Sequence, residues 1–260
     1  MTSSAALVRV ATARGVTTLT LDSPHNRNAL STPLMTELLA GLAAAVADDA
    51  VRVVVLDHTG PVFCSGADLK ETAAAYADGA VPAGMLGDVL AAVWECPKPV
   101  VARVAGPARA GGLGLIAAAD LALCAREATF AFTEVRIGVI PAVISATVLP
   151  RLAPRAAAEL YLTGETFDGR RAAEIGLVTA AVPADELDAE VARVCAALVR
   201  GAPGALAGAK GLLRRPPAAD LRAEVAELTE LSTGYFLSAE GREGVLAFRE
   251  KRDASWVPTH

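Results

Sequence analysis

A chain of 260 residues, 53% of them hydrophobic and 20% charged, suffices for one large domain, or a domain with a helical appendage, around a sizeable core. The net charge of −5 comes without a long block of either sign, which argues against a nucleic-acid footprint, and no apolar run approaches the roughly 20 residues of a membrane helix. The first ten residues, MTSSAALVRV, have neither a basic start nor a cleavable apolar stretch, so the expected compartment is the cytoplasm.

Residues 7–22 (LVRVATARGVTTLTLD) alternate apolar and polar side chains around Arg14-Gly15, the pattern of a β-hairpin. Ser31 or Thr32 then caps a helix with Pro33 at its first position, and helical spacing carries it to Asp48. VRVVVLDHTG reads as a buried strand and turn, and PVFCSGADLKE as a strand end, a glycine-centred loop and a helix start. A helix over 84–95 stops at Pro97-Lys98-Pro99, and VVARVAG is the next buried strand. A helix from Gly111, the strands LALCA and TFAFTEV, a helix near 143–152 and the short strand VTAAVP follow. From Asp185 onward almost every segment has helical spacing. Alternating strands and helices followed by a helical tail define an α/β chain, with no low-complexity linker and no repeat.

Three features carry possible chemistry. Gly111-Gly112, in RAGGLGLIAAAD, opens an apolar helix and exposes backbone N–H groups, which suits an anion or a developing oxyanion. A dinucleotide fingerprint fails because GxGxxG is incomplete, and a phosphate loop fails for want of GK[ST]; tight helix–strand packing is the equal alternative. Gly66, in CSGADLK, lies between a strand and a helix, so the Ala67 N–H points out of a sharp turn and can join the first donor on one carbonyl oxygen. Asp68 and Lys70 are ordinarily a cap and a solvated charge, or else they flank a bound phosphate chain. Glu134 ends an apolar run; an ion pair with Arg136 is the plain reading. A carboxylate against apolar walls, however, has its pKa raised, as a general acid/base requires.

The other reactive side chains read as structural. Cys64, Cys96, Cys124 and Cys195 are too far apart for a zinc knuckle or a disulfide framework and read as buried thiols, with Cys64 alone in a loop where nucleophilic chemistry is conceivable. His25, His58 and His260 read as exposed, Trp94, Phe130 and Phe132 as core, and no metal-ligand cluster is present in the pattern.

CSGADLK, GGLG and FTEVRIGVIP stand in the order and spacing of the crotonase (enoyl-CoA hydratase/isomerase) superfamily, and the chain resembles that family over nearly its whole length. LDSPHNRNALS resembles its first adenine-contacting loop, KPVVARVAG its central strand and REGVLAFREKR its C-terminal helix. The resemblance implies an α/β spiral of ββα units (1–195) with a C-terminal helical trimerisation region (196–260), in a homotrimer or hexamer. It implies an acyl-CoA thioester as substrate and no further cofactor. Ala67 and Gly111 become the oxyanion hole and Glu134 the catalytic acid/base. Arg27, Ala29, Ala67, Asp68, Leu69, Lys70 and Gly111 become CoA-binding, with Phe236 and Lys251 reaching a neighbour's CoA.

One departure stands out. Family hydratases carry a second glutamate in the glycine-rich helix, where this chain has Gly114. With Glu134 alone the chain resembles both the family's isomerases and its hydratases of branched glutaconyl-CoA esters. Hydration of a 2-enoyl-CoA is the expected activity, with Δ3-Δ2 isomerisation, branched glutaconyl-CoA-type hydration or silent acyl-CoA binding as alternatives. A protease on a related spiral would need a Ser–His pair that the pattern does not supply.

Overall fold

The computed structural model describes residues 6–68, 70, 71, 73 and 83–258. Leu69, named above for CoA, and His260 lie outside the described residues. Strands β1 (Val8–Ala13) and β2 (Val16–Leu21) form the expected hairpin, with Arg14 and Gly15 both at positive φ in its two-residue turn. Helix α1 (Thr32–Ala47) begins where Ser31 Oγ accepts the Leu34 N–H at 3.4 Å and buries Leu34, Leu38 and Leu42. Strand β3 (Val53–His58) follows, with its valines fully or almost fully buried on both faces, as a central parallel strand requires.

Helix α2 (Ala83–Glu95) leads to β4 (Val100–Val104) and β5 (Ala108–Arg109). Helix α3 (Gly111–Ala118) is buried along its whole length. Strands β6 (Leu121–Ala125) and β7 (Thr129–Ala131) come next, then a 3-10 turn at Glu134–Ile137. Helices α4 (Ala142–Val148) and α5 (Pro154–Thr163), strand β8 (Phe167–Asp168), helix α6 (Gly169–Glu174) and strand β9 (Ala180–Val182) complete the α/β part. The tail is α7 (Leu187–Leu198), α8 (Pro203–Leu213), α9 (Leu221–Leu237) and α10 (Ala239–Glu250).

The main sheet runs β1-β2-β3-β4-β6-β9, antiparallel only at its β1 edge and parallel elsewhere. A second sheet, β5-β7-β8, carries the strands that lead to the glycine-rich helix and to Glu134. Chain that returns from each sheet through helices gives the expected α/β spiral. The tail is tied to this body by polar contacts. The buried Lys210 ammonium of α8 meets Asp120 and donates to Lys98 O at 2.8 Å, and Arg52 donates to Gly201 O at 3.1 Å. Among the described residues no single helix is long and apolar enough to cross a membrane.

Three expectations are corrected. His58 is not exposed: it is the inward-facing last residue of β3, set edge-on to Phe63, with Nε2 accepting the Ala105 N–H at 3.2 Å. Asp-His-Thr-Gly looks like a turn, but the strand period runs one residue further than its polarity implies. The strand before Glu134 stops at Ala131, so the acid sits in the 3-10 turn. Phe130 and Phe132 are fully buried as expected, whereas Trp94 is half-buried, with the guanidinium groups of Arg151 and Arg214 over its ring at 4.8 and 5.1 Å.

Candidate functional site

Register places the candidate residues together. Cys64 bridges Ala108 in parallel, and Ala108 pairs with Phe130, so three parallel segments lie side by side. Ala67 follows Cys64 by three positions, Gly111 follows Ala108 by three and Glu134 follows Phe130 by four. All three therefore leave the carboxyl ends of adjacent strands, the end at which α/β sheets receive ligands.

The two backbone donors are brought close by glycine. Gly66 has φ +93°, and a side chain there would press its Cβ to 2.9 Å from Ala110 Cβ and 3.6 Å from the Gly111 nitrogen. Only a residue without Cβ lets the two loops approach so closely. Ala110, just before the helix, has φ +47°, a conformation that costs a non-glycine residue about 1–3 kcal/mol and turns the Gly111 N–H out of the strand direction. Among the described residues neither the Ala67 nor the Gly111 N–H finds an acceptor. Two unpaired donors on neighbouring loops can receive one oxygen.

Glu134 is the acid beside them in register. It is 9% exposed, and its Oε2 is buried without a partner. Burial pushes its carboxyl above the ordinary carboxylate range, opposed by a hydrogen bond from its own backbone. The alternative ion pair does not form: Arg136 turns away and donates to Thr163 O at 3.3 Å. Nearby, Tyr161 packs on Phe132 at 4.6 Å between ring centroids, and its hydroxyl lies 3.3 Å from Ser145 Oγ. Burial, then the Glu134 charge, holds the phenol above its usual pKa.

The glycine-rich helix is packed by apolar side chains at Gly114. A Cβ on Gly114 would lie 2.7 Å from Ile144 Cγ2 and 3.2 Å from Leu90 Cδ1. The space that a glutamate at this position would claim is thus filled from α4 and α2. Thr147 Oγ1 also donates to Gly114 O at 3.1 Å, fixing α4 against α3. Ile144 lies in AVIS (142–145), where the resembled family commonly has a glycine-rich stretch, but its contact with Gly114, 30 positions away, is not visible in the sequence.

The remaining residues divide. Asp68 Oδ1 accepts from the N–H groups of Lys70 and Glu71, the capping role, while its Oδ2 accepts from Asn26 Nδ2 at 3.3 Å. Lys70 is exposed. Arg27 is exposed at φ +59°, Ala29 is buried, and the following Leu30 bridges Ala67, so this loop borders the donor turn. Phe236 lines a small groove of the helical tail with Tyr235 and Trp256, and is 67% exposed. Lys251 closes α10 in a left-handed conformation. Neither contacts the Glu134 site in the isolated chain's described contacts. All four cysteines are buried thiols, as expected, and burial pushes Cys64 up to about 12, which removes it as a nucleophile. A cavity of about 1030 Å³ lies between β2, β3 and α7; Cys195 lines it, but Ala67, Gly111 and Glu134 do not, so volume and chemistry do not coincide. Among the described residues no group of three or more His, Cys, Asp or Glu could hold a metal ion.

Residues 11–258 match the family model described as enoyl-CoA hydratase/isomerase. The 2,3-dehydroadipyl-CoA hydratase of Escherichia coli is 30% identical over 239 residues, covering 90% of this chain and 92% of that protein. A crystal structure of an enoyl-CoA hydratase from Mycobacterium avium is 47% identical with a TM-score of 0.73, covering 96% of this chain and 99% of that one. Pseudomonas aeruginosa AtuE is 35% identical with a TM-score of 0.91, at the same two coverages. The chain belongs to the enoyl-CoA hydratase/isomerase family and has the crotonase fold. Its activity lies within that family's hydratase and isomerase chemistry on CoA thioesters.

Proposed function

We propose that the protein is an enoyl-CoA hydratase with one acid/base residue. The observation that carries this reading is the buried, unpartnered Oε2 of Glu134, one strand away from the unpaired Gly111 N–H. Glu134 takes a proton from water, and the hydroxide adds to C3 of the 2-enoyl group. The C2–C3 π electrons move toward the thioester oxygen, where the Ala67 and Gly111 N–H groups receive the developing enolate. Glu134, now a carboxylic acid, returns its proton to C2, so one water is consumed and the enzyme is restored. No cofactor beyond the substrate's CoA enters this sequence.

Arg27, Ala29, Asp68, Leu69 and Lys70 border the nucleotide half of the substrate in this reading. Residues 1–195 form the catalytic body and 196–260 an oligomerisation region, in a cytoplasmic homotrimer or hexamer. The tail supports this by the apolar surface it leaves bare: Leu213 is 86% exposed and Phe248 84%. Phe236 and Lys251 would then meet a neighbour's CoA.

A second reading is favoured by the Gly114–Ile144 contact. With no second carboxylate to share a water, Glu134 can instead move a proton from C2 of a 3-enoyl-CoA to C4, which is isomerisation. Branched glutaconyl-CoA-type hydration fits the same single acid, and a silent acyl-CoA binder remains the non-catalytic rival. A panel of straight, branched and 3-enoyl esters, followed for loss of the conjugated double bond and for double-bond migration, separates these. A protein inert toward all of them is not an enzyme of this kind.

A further inference from the structure

The Ala67 N–H belongs to the same peptide group as the Gly66 carbonyl. In a trans peptide those two bonds point in opposite directions, so whatever holds the carbonyl aims the N–H. The carbonyl is held by Leu30, whose N–H donates to Gly66 O at 2.8 Å. On the other side of the same residue, the Gly66 N–H is accepted by the Cys64 sulfur at 3.4 Å.

Leu30 owes its place to Asn28, which is 0% exposed and has φ +52°. Asn28 Oδ1 accepts the Ser23 N–H at 2.8 Å, and Nδ2 donates to Thr59 O at 3.0 Å and Val62 O at 2.8 Å. One buried carboxamide therefore laces the 23–30 segment to the chain that leads into Cys64. Ser65 N–H to Arg27 O at 3.1 Å adds a further rung.

We infer that Asn28, the Leu30 N–H and the Cys64 sulfur are positioning groups for the Ala67 donor. The inference rests on the reading of Ala67 as an oxyanion donor. Two effects are expected. The contacts fix the direction of the N–H, and the bond accepted by the Gly66 carbonyl polarises its amide, which makes the attached N–H a stronger donor. Both matter more as charge develops on the thioester oxygen than in the ground state, so they act on kcat rather than on KM.

The test deletes one hydrogen atom's worth of bonding. Cell-free translation with a suppressor tRNA carrying the α-hydroxy acid analogue of leucine converts the amide before Leu30 into an ester. The side chain stays and the N–H disappears. The same replacement at Leu177, a buried leucine whose N–H donates to Ala172 O at 2.9 Å beyond α6, is the control. Cys64→Ala, which removes the acceptor, and Cys64→Ser, which keeps one, form the second pair. Turnover of the best enoyl-CoA is read together with the near-ultraviolet absorbance of bound 3-ketoacyl-CoA, whose enolate fraction reports the oxyanion site without turnover.

The Leu30 ester is expected to lower kcat roughly three- to tenfold. KM should hold within about twofold, and the enolate signal should weaken. Cys64→Ala should weaken that signal as well, while the Leu177 ester and Cys64→Ser stay near the unaltered protein. A Leu30 ester that matches the Leu177 ester in both readouts overturns the inference. If the Leu30 ester does not fold, equal enolate signals for Cys64→Ala and Cys64→Ser overturn it instead. An unaltered protein that turns over but does not enolise bound 3-ketoacyl-CoA removes the oxyanion reading of Ala67, and this inference with it. One that does neither removes the proposed function.

Discussion

The two sides of the candidate site are built from different material. On one side, Ala67 and Gly111 offer main-chain N–H groups whose directions follow from Gly66, the left-handed Ala110 and the bridges among Leu30, Ala67, Cys64 and Ala108. On the other stand the buried Glu134 carboxyl and the apolar packing of Ile144 and Leu90 over Gly114. The first side is indifferent to most side chains, because the donor belongs to every residue but proline. The second depends on two or three side chains, and one exchange there alters which chemistry is available. A site of this kind can therefore keep its main-chain half while its side-chain half changes.

The sharpest way to break the comparison is to remove the one acid. Glu134→Gln keeps size and polarity, leaves both N–H donors in place and should lower kcat by about 10²–10⁴-fold with little change in acyl-CoA affinity. Steady-state kinetics beside direct binding measurements check it. A rate indifferent to this exchange would mean that the side-chain half carries no chemistry. In the unaltered enzyme, the acid limb of kcat/KM should lie above the ordinary carboxylate range, because burial raises Glu134.

Restoring the missing glutamate probes the apolar wall. Gly114→Glu brings a Cβ to 2.7 Å from Ile144 Cγ2, and overpacking of this kind costs about 1–3 kcal/mol before any buried charge is counted. Denaturant unfolding should register that loss, and Gly114→Glu with Ile144→Ala should recover part of it. If the single exchange were neutral, Ile144 would not be what fills the space.

The same acid predicts a stability effect of opposite sign to its effect on rate. Glu134 is raised in the folded protein relative to the unfolded chain, so the native state favours the protonated form. Its contribution to stability is complete below the unfolded carboxyl's value of about 4.3 and is lost as pH rises through the raised value. Glu134→Gln does not titrate, so its unfolding temperature should gain on the unaltered protein from acid to neutral pH. Thermal melts across that interval check the sign; parallel curves would mean that Oε2 has a partner in solution.

The sequence made the backbone half legible for a physical reason. Gly66 and Gly111-Gly112 stand between a strand and a helix, and glycine at such a junction marks a close approach or a positive φ whatever surrounds it. Glu134 was legible as an acid against apolar residues. The wall was not, because Gly114 and Ile144 meet only through the packing of α3 on α4. His58 misled for a related reason: the polarity of Asp57-His58-Thr59-Gly60 suggests solvent, and only the sheet shows that period two turns the ring inward. Asn28 lay between Arg27 and Ala29, both singled out for CoA, but its three hydrogen bonds reach chain positions that no local pattern connects to it.

The smallest expected effect concerns the outer edge of the backbone half. Lys70 is exposed, and its own N–H is already taken by Asp68 Oδ1 at 2.9 Å, so its ammonium is the only part free to meet a phosphate. An exposed ion pair is worth about 0–1 kcal/mol and weakens with salt. Lys70→Ala should therefore weaken acyl-CoA binding by no more than about fivefold, with kcat unchanged and the difference shrinking as ionic strength rises. Asp68→Asn is the companion. It keeps an acceptor for the Lys70 and Glu71 N–H groups while removing the charge, so affinity should rise slightly if phosphates pass close to it. Isothermal titration at two salt concentrations reads both. A Lys70→Ala protein that no longer binds acyl-CoA would show that side-chain charge, and not the strand-end main chain, holds the substrate, and the contrast between the two halves would fall.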